Sequence, residues 1–182
     1  YSPLLDVDPT YRHPERFRSP LDGTPGQGGH SASMWLKLIA LALMALILIP
    51  SGAHLFELPA KMQLSREGYF AVQQIYAGWA LFAVPIIAAI GANALLGHRL
   101  RRIDPSASRA AWASSVLTVI SLVIFFGLVF PANGATSNWT QMPANWEELR
   151  LRWEYGHAAI AVVVFIALLL TGRAMMSPPL PR

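Results

Sequence analysis

The sequence predicts an all-α integral membrane protein, folded as an up-down-up-down four-helix bundle with an extended N-terminal arm. Of its 182 residues, 54% are hydrophobic and 13% are charged, whereas soluble domains contain about 25% charged residues. Four windows are long and apolar enough to cross the roughly 30 Å of hydrocarbon in a bilayer. Each of them should be helical, because lipid offers no other hydrogen-bond partner to the backbone of an open segment.

Short polar connections join the four predicted spans. The spans cover residues 34–56, 69–96, 107–130 and 155–172. Connections of about ten residues after the first and second spans favour antiparallel neighbours. Pro50 and Pro85 predict bends, because proline removes a backbone donor and crowds the preceding turn. The spans form one predicted domain, residues 34–176, and residues 177–182 form a C-terminal tail.

Local patterns refine the third and fourth spans. Ser114, Thr118 and Ser121 recur on one face of the third span, and such small polar residues are typical of close helix contact in membranes. Asn145 followed by Glu148 has the spacing of a capping box. The fourth helix is therefore predicted to begin about two turns before its hydrocarbon segment.

The arm, residues 1–33, is rich in proline, glycine and aspartate and shows no helical or alternating period. Such a segment lacks the apolar residues needed for a core of its own. We expect it to be an extended arm and a surface through which other membrane subunits are held.

Charge and cysteine content limit the possible functions. The chain contains no cysteine, which excludes disulfides, thiolate metal sites, haem attachment through CxxCH and cysteine nucleophiles. The sequence pI is about 9.9, but the basic residues lie where the membrane topology predicts them. We therefore expect the chain to bind a lipid bilayer and not a nucleic acid.

Basic residues are unevenly divided between the two predicted membrane faces. Four lie in the connections 57–68 and 131–153, and the other ten flank the opposite face. The positive-inside rule then places both termini and the 98–109 loop in the cytoplasm. A bacterial inner membrane is the expected location.

The candidate metal-binding and acid–base residues lie at the end of the first span and the start of the fourth. In the stretch WEELRLRWEYGH, residues 146–157, Glu154 and His157 are three apart, and His54 and Glu57 have the same separation in reverse order. Residues three apart on a helix point in neighbouring directions. If the first and fourth spans are antiparallel neighbours, two imidazoles and two carboxylates meet at one level, at the outer rim of the membrane.

This constellation predicts a metal site. Paired Glu-x-x-His motifs occur in di-iron and di-manganese bundles, which take further carboxylates from the other two helices. Those helices offer none here, so a single non-haem ion held by His54, Glu57, Glu154 and His157 fits better. Iron, copper or zinc would accept such ligands.

Three alternatives stay open. Glu154 could pair with Arg150 and Glu57 with Lys61, with each histidine in the interfacial zone and no cofactor bound. His54 and His157 could instead be the axial ligands of a haem. The third alternative is a non-catalytic accessory subunit of a larger membrane complex.

Aromatic and basic residues complete the predicted site. Trp146 and Trp153 would wall a pocket for a planar aromatic or quinone-like substrate, or belong to an interfacial aromatic belt. Tyr76 and Arg150 are the candidate catalytic residues. Tyr76 or Gln73 would hydrogen-bond the substrate or reduced oxygen, and Arg150 would orient the metal ligands.

A family resemblance rests on the end of the chain. Asn138-Trp139, followed by Trp146, Leu149-Arg150 and Arg152-Trp153-Glu154 with His157 entering the last span, is similar to the C-terminal signature of the anthrone-oxygenase-like integral membrane family. The resemblance covers about residues 35–175. It implies four transmembrane helices and, for some members, oxidation of a polycyclic phenolic anthrone to a quinone by dioxygen. It also implies functional roles for Arg150, Trp153, Glu154 and His157.

These observations lead to one functional hypothesis. We expect a polytopic membrane protein with a metal-assisted redox or oxygenase site at the outer rim, acting on an aromatic or quinone-like substrate.

Overall fold

The computed structural model describes the backbone of residues 27–177 and the side chains of residues 34–177. Within this part of the chain there are helices and no strands, which confirms the predicted all-α class. The α-helices are α1 (Gln27–Lys61), α2 (Arg66–Gln73), α3 (Ala83–Leu100), α4 (Pro105–Ile124), α5 (Phe130–Ala135) and α6 (Trp146–Met175). Residues 1–26 of the predicted arm, and residues 178–182 of the predicted tail, lie outside the described residues.

Four helical segments are long and apolar enough to cross a membrane. They are Met34–Lys61, Trp79–Leu100, Pro105–Ala135 and Trp146–Met175. Only 22% to 33% of the most apolar window of each segment is buried inside the protein. Large apolar side chains such as Ile49, Phe56, Val123 and Leu169 therefore cover the outside of the bundle. A surface of this kind requires lipid around it, so the chain is an integral membrane protein.

Helix α1 is longer than the predicted first span at both ends. It begins at Gln27, so residues 27–33, which were predicted to belong to an extended arm, are helical. It ends at Lys61, beyond Pro50 and Pro59. No proline lies between Pro25 and Pro50 to stop the helix before it enters the membrane.

The second predicted span is not one helix. Helix α2 ends at Gln73, and two short 3₁₀ turns, Gln74–Tyr76 and Trp79–Phe82, separate it from α3. Gly78 interrupts the helical conformation between the two turns. Its φ is 86°, a left-handed conformation that glycine adopts without strain. Pro85 then lies in the first turn of α3, where its missing N–H costs no hydrogen bond. The predicted bend at Pro85 is therefore a helix start.

The third span contains a π-helical turn. Residues Phe125–Val129 adopt it between α4 and α5. Pro131 follows two residues later and cannot donate to the carbonyl four residues before it. Gly156 of α6 lies against this turn, since a Cβ at Gly156 would be 2.9 Å from a methyl group of Val129. The third and fourth spans therefore approach closely at this level.

The four spans form a ring in which α1 packs on α3 and α6, and α4 packs on the same two helices. The end of α1 meets the start of α6, where Lys61 pairs with Glu154. The start of α1 meets the end of α6, where Lys37 Nζ donates to the carbonyl oxygens of Met175 and Ser177. The expected antiparallel contact between the first and fourth spans is confirmed. We call the end that contains His54 and His157 the histidine end.

The polar stripe of α4 lies inside the bundle, as its small side chains predicted. Ser114, Thr118 and Ser121 are buried. Ser114 Oγ lies 2.8 Å from Thr171 Oγ1, which also donates to Asn93 Oδ1 at 2.8 Å. Hydrogen bonds of this kind join neighbouring helices where lipid offers no alternative partner.

The connection between α5 and α6 contains a left-handed turn. Ser137, Asn138 and Trp139 have φ values of 48°, 55° and 65°, a conformation that costs about 1–2 kcal/mol for each residue with a side chain. Helix α6 begins at Trp146, as predicted. The prediction of a capping box is wrong, because the Asn145 side chain makes no capping hydrogen bond and Glu148 instead binds Arg152.

Candidate functional site

The histidine end brings together two residues that are 103 positions apart in the sequence. The ring centroids of His54 and His157 are 4.1 Å apart and the rings are tilted by 35°. Helix α1 supplies His54 near its end and α6 supplies His157 three turns after its start. The predicted meeting of the two imidazoles is therefore present in the fold.

Aromatic rings surround the histidine pair. The distance between ring centroids is 4.6 Å from His54 to Tyr76, 5.4 Å to Trp79 and 4.9 Å to Trp153. Trp153 also touches His157, at 4.2 Å between ring centroids. Only 3% of His54 is exposed, whereas His157, Tyr76 and Trp79 are half-buried. A planar molecule would therefore reach the pair from the side of these three residues.

A buried ion pair lies next to the histidines. Lys61 Nζ is 2.6 Å from Glu154 Oε1, and the two side chains are 4% and 0% exposed. The Tyr69 hydroxyl donates to the same carboxylate oxygen at 2.9 Å, and Gln73 Nε2 donates to that hydroxyl at 2.5 Å. The short helix α2 thus supplies two uncharged partners that support the Glu154 carboxylate.

The Lys61 ammonium is also enclosed by aromatic faces. It lies 4.2 Å from the ring centroid of Trp153, 4.7 Å from that of Tyr76 and 5.4 Å from that of Tyr69. A cation within about 6 Å of a ring centroid is attracted by the negative face of the ring. Lys61 therefore has one carboxylate and three rings as partners.

Glu57 takes a different partner from the one that either sequence interpretation gave it. The Tyr76 hydroxyl donates to Glu57 Oε2, and Lys61 Nζ lies 3.4 Å from the same hydroxyl. Glu57 and Glu154 are thus connected through Tyr76 and Lys61. This chain of contacts replaces the predicted pairs Glu57–Lys61 and Glu154–Arg150.

Arg150 and Trp146 lie away from the histidines. Arg150 donates to the carbonyl oxygen of Leu64 at 3.1 Å, and its guanidinium carbon is 4.6 Å from the Trp146 ring centroid. Arg150 therefore ties α6 to the link between α1 and α2. Trp146 packs against Arg150, Tyr69 and Phe70.

Asn133 connects the left-handed turn to the site. Its side-chain oxygen accepts hydrogen bonds from the indole nitrogens of Trp139 and Trp153, both at 2.9 Å. Thr136 Oγ1 accepts from the backbone N–H of Trp139 at 3.0 Å. The turn thereby places Trp139 in the core and fixes the edge of Trp153, the ring that touches both histidines and Lys61.

Burial keeps the two tyrosines of the cluster protonated. Burial raises the pKa of Tyr69 above its ordinary value, and the nearby Glu154 carboxylate raises it further. The pKa of Tyr76 is raised by burial and then by its hydrogen bond to Glu57. Both hydroxyls therefore act as hydrogen-bond donors across the physiological pH range.

Several buried polar atoms in and beside the cluster have no hydrogen-bond partner within the described part of the chain. They are His54 Nδ1, Gln73 Oε1, Arg150 Nε and Glu154 Oε2. Buried polar groups are nearly always hydrogen-bonded in proteins. Their concentration at one end of the bundle marks this region as a candidate site for a polar ligand.

The residues do not fit the predicted metal ion. Across residues 34–177, no three His, Asp or Glu side chains come together in a group able to hold one. The Glu154 carboxylate is bound by Lys61 and Tyr69, and that of Glu57 by Tyr76. The predicted four-ligand set therefore reduces to two imidazoles.

A haem between the histidines does not fit either. Axial ligands lie on opposite faces of a porphyrin, so the macrocycle must separate the two rings. A centroid distance of 4.1 Å between His54 and His157 is that of direct ring contact.

Lys61 and Asn133 belong to the site, although neither was predicted as a site residue. A signal was present for Lys61, because it lies seven residues after His54 and therefore on the same helix face. For Asn133 the sequence carries no comparable signal, since its role depends on a turn that cannot be recognised from residue types alone.

Comparison with known proteins adds no relative: no protein-family model, curated protein or solved structure matches the chain.

Proposed function

We propose that the protein is a membrane-embedded oxidoreductase that oxidises a lipid-soluble phenol of the anthrone type with dioxygen. The His54–His157 pair is its acid–base group, and no resident metal takes part. The observation that carries the proposal is the contact between the two imidazoles inside a frame of aromatic rings.

The proposed reaction needs a base before it needs a redox centre. The methylene group of an anthrone loses a proton to an unprotonated histidine nitrogen, which leaves an electron-rich anion. This anion forms a carbon–oxygen bond with dioxygen and, after protonation, a hydroperoxide. Loss of water then gives the carbonyl of the quinone. One dioxygen is consumed, one of its oxygen atoms stays in the product, and the other leaves as water.

Three features support the assignment of roles. His54 Nδ1 has no hydrogen-bond partner within the described residues, so it is available to a proton. The half-buried Trp79, next to His54, offers a ring against which a planar substrate would stack. The Tyr76 hydroxyl, kept protonated by burial, donates to Glu57 in the free protein and would transfer this hydrogen bond to a substrate oxygen.

The family resemblance of the C-terminal motif supports the substrate class. Of the residues that it implicates, Trp153, Glu154 and His157 belong to the cluster around the histidines. Arg150 holds the link before α2 and is proposed as a structural support.

The test uses the purified full-length protein in lipid nanodiscs. A hydroxyanthrone is added, and oxygen consumption and quinone absorbance are followed together. We expect equal amounts of oxygen consumed and quinone formed, at a rate that chelators do not change. His54→Gln and His157→Gln should each slow the reaction by about 10²–10⁴-fold, the usual contribution of a general base.

His98→Gln is the matched control, because His98 is exposed in the last turn of α3, at the opposite end of the bundle. Absence of oxidation by the unaltered protein, or equal rates in all three variants, would overturn the proposal. Activity that tracks bound iron or copper would restore the metal-assisted hypothesis instead.

A further inference from the structure

We propose that Lys61 is a covalent binding site for a small aromatic aldehyde or ketone, which it holds as an imine. This site is separate from the acid–base role of the histidines. It does not depend on the oxidation proposed above.

Composition singles Lys61 out. Of the 14 basic residues, 12 are arginine and only Lys37 and Lys61 are lysine. Arginine would supply the same charge, but its side chain stays protonated, whereas a buried lysine can lose its proton and act as a nucleophile. Lys61, the basic residue in contact with Glu154 and Trp153, is thus of the type that reacts with carbonyl compounds.

The neighbours of Lys61 supply the proton transfers that imine formation requires. Glu154 Oε1, 2.6 Å from Nζ, is placed to accept the ammonium proton. Its second oxygen, Oε2, has no hydrogen-bond partner within the described residues and can hold a proton. The Tyr76 hydroxyl accepts from Nζ at 3.4 Å and donates to Glu57, and it would turn its proton from Glu57 to the carbonyl oxygen when the ligand binds.

Ring faces and access define the ligand class. Nζ lies over the faces of Trp153 and Tyr76, so a planar aromatic group attached to the carbonyl would stack beside it. The Lys61 side chain is 4% exposed, and the adjacent Tyr76 and Glu57 are half-buried. Small ligands therefore have a route from this side of the histidine end.

The reaction balances without any further reactant. Glu154 takes a proton from the Lys61 ammonium, and the free amine forms a carbon–nitrogen bond while the carbonyl π bond breaks. Tyr76 protonates the oxygen and recovers a proton from the nitrogen. Glu154 then returns its proton to the hydroxyl, the carbon–oxygen bond breaks, and water leaves. The product is a protonated imine with the Glu154 carboxylate as its counterion.

The experiment traps this imine. Full-length protein in detergent is incubated with benzaldehyde and cyanoborohydride, which reduces an imine to a stable secondary amine, and is then digested for mass spectrometry. We expect a benzyl group on Lys61. Lys37 is an internal control, because it is also buried but binds the backbone carbonyls of Met175 and Ser177.

Three variants decide the outcome. Lys61→Arg keeps a positive charge beside Glu154 and should lose the adduct, whereas Lys37→Arg should retain it. Glu154→Gln keeps the lysine but removes the proton acceptor, and should lower the yield at Lys61 even if Lys61→Arg does not fold. Labelling confined to Lys37 or the terminal amine would overturn the proposal, as would unchanged labelling of Lys61 in Glu154→Gln.

Discussion

Among single residues, Lys61 and Glu154 dominate the energetics of the histidine end. Both are almost fully buried and 2.6 Å apart. Taking two charges out of water costs several kcal/mol for each ion, so such a pair is a weak source of net stability. Its two members depend strongly on each other, because either one alone would be an uncompensated buried charge.

Lys61→Met should therefore destabilise the protein by about 3–5 kcal/mol, the usual cost of removing one partner of a buried pair. The double variant Lys61→Met/Glu154→Met should recover most of the loss. Thermal unfolding in detergent measures both. Arg152→Ala is the control, since its pair with Glu148 is more than half exposed and should contribute less than about 1 kcal/mol. Equal losses in the single and double variants would contradict this expectation.

The pKa shifts of Tyr69 and Tyr76 predict how stability depends on pH. Both values are raised in the folded protein, by burial first, whereas an exposed tyrosine ionises near pH 10. Above about pH 10 the unfolded chain therefore binds fewer protons than the folded protein, and the free energy of unfolding falls as pH rises. At lower pH this contribution is fully present.

A tyrosinate absorbance titration checks this directly. Of the five tyrosines, about two fewer should ionise near pH 11 in the folded protein than in denaturant, given the raised values. Tyr69→Phe and Tyr76→Phe should each reduce that difference by one. Simultaneous ionisation of all five in the folded protein would show that neither phenol is protected.

Residue spacing predicted which side chains meet, but not how they bond. His54 and His157 share one level because each lies on the inward face of one of two antiparallel neighbours, and that much follows from helical periodicity. The carboxylates did not become metal ligands because Lys61 and two tyrosine hydroxyls reach them first. Only packing in three dimensions determines that competition.

Among the structural elements, the link between α5 and α6 stands out because it is strained yet well supported. Three consecutive left-handed residues with side chains end at Trp139, which donates hydrogen bonds to Thr136 Oγ1 and Asn133 Oδ1. Such conformations persist only where surrounding contacts enforce them. In this protein the contacts lead to Trp153 and so to the candidate site.

The variant Asn133→Ala tests the connection between the left-handed turn and Trp153. The change removes the acceptor of two indole N–H groups, and each buried donor left without a partner costs about 1–3 kcal/mol. We expect a corresponding loss in thermal stability, together with altered tryptophan fluorescence. Trp139→Phe and Trp153→Phe each remove one donor, and combining either with Asn133→Ala should cost less than the sum of the two changes. Strict additivity would mean that these hydrogen bonds do not matter.

The presence of the four membrane-spanning helices could be predicted better than the residues at which the helices begin and end. The four apolar windows correspond to four membrane spans, because apolar length is a strong signal. The break between α2 and α3 could not be seen by hydropathy, since Ile75, Tyr76, Trp79 and Leu81 continue the apolar run through it. Gly78 interrupts the helix here, and Pro85, which predicts a bend, lies instead in the first turn of α3.

For the whole molecule, the orientation in the membrane remains a prediction from the distribution of basic residues. The chain has no native cysteine, so single cysteines report the side cleanly. Gln141→Cys, in the link before α6, should react with a membrane-impermeant maleimide from outside intact cells. Ser106→Cys, exposed in the first turn of α4, should react only after the cells are opened. The reverse pattern would invert the assignment.

The interrupted second span also determines how deep the histidine end lies. This span has 22 residues, whereas the other three have 28 to 31; at 1.5 Å per residue, they are about 33 Å and 42–46 Å long. The shorter span matches the hydrocarbon thickness, so the longer ones tilt or project beyond it. If they project beside Tyr76 and Trp79, the ion pair and the imidazoles lie among lipid headgroups. An amphiphile could then enter sideways from the leaflet and meet water and protons at the same place.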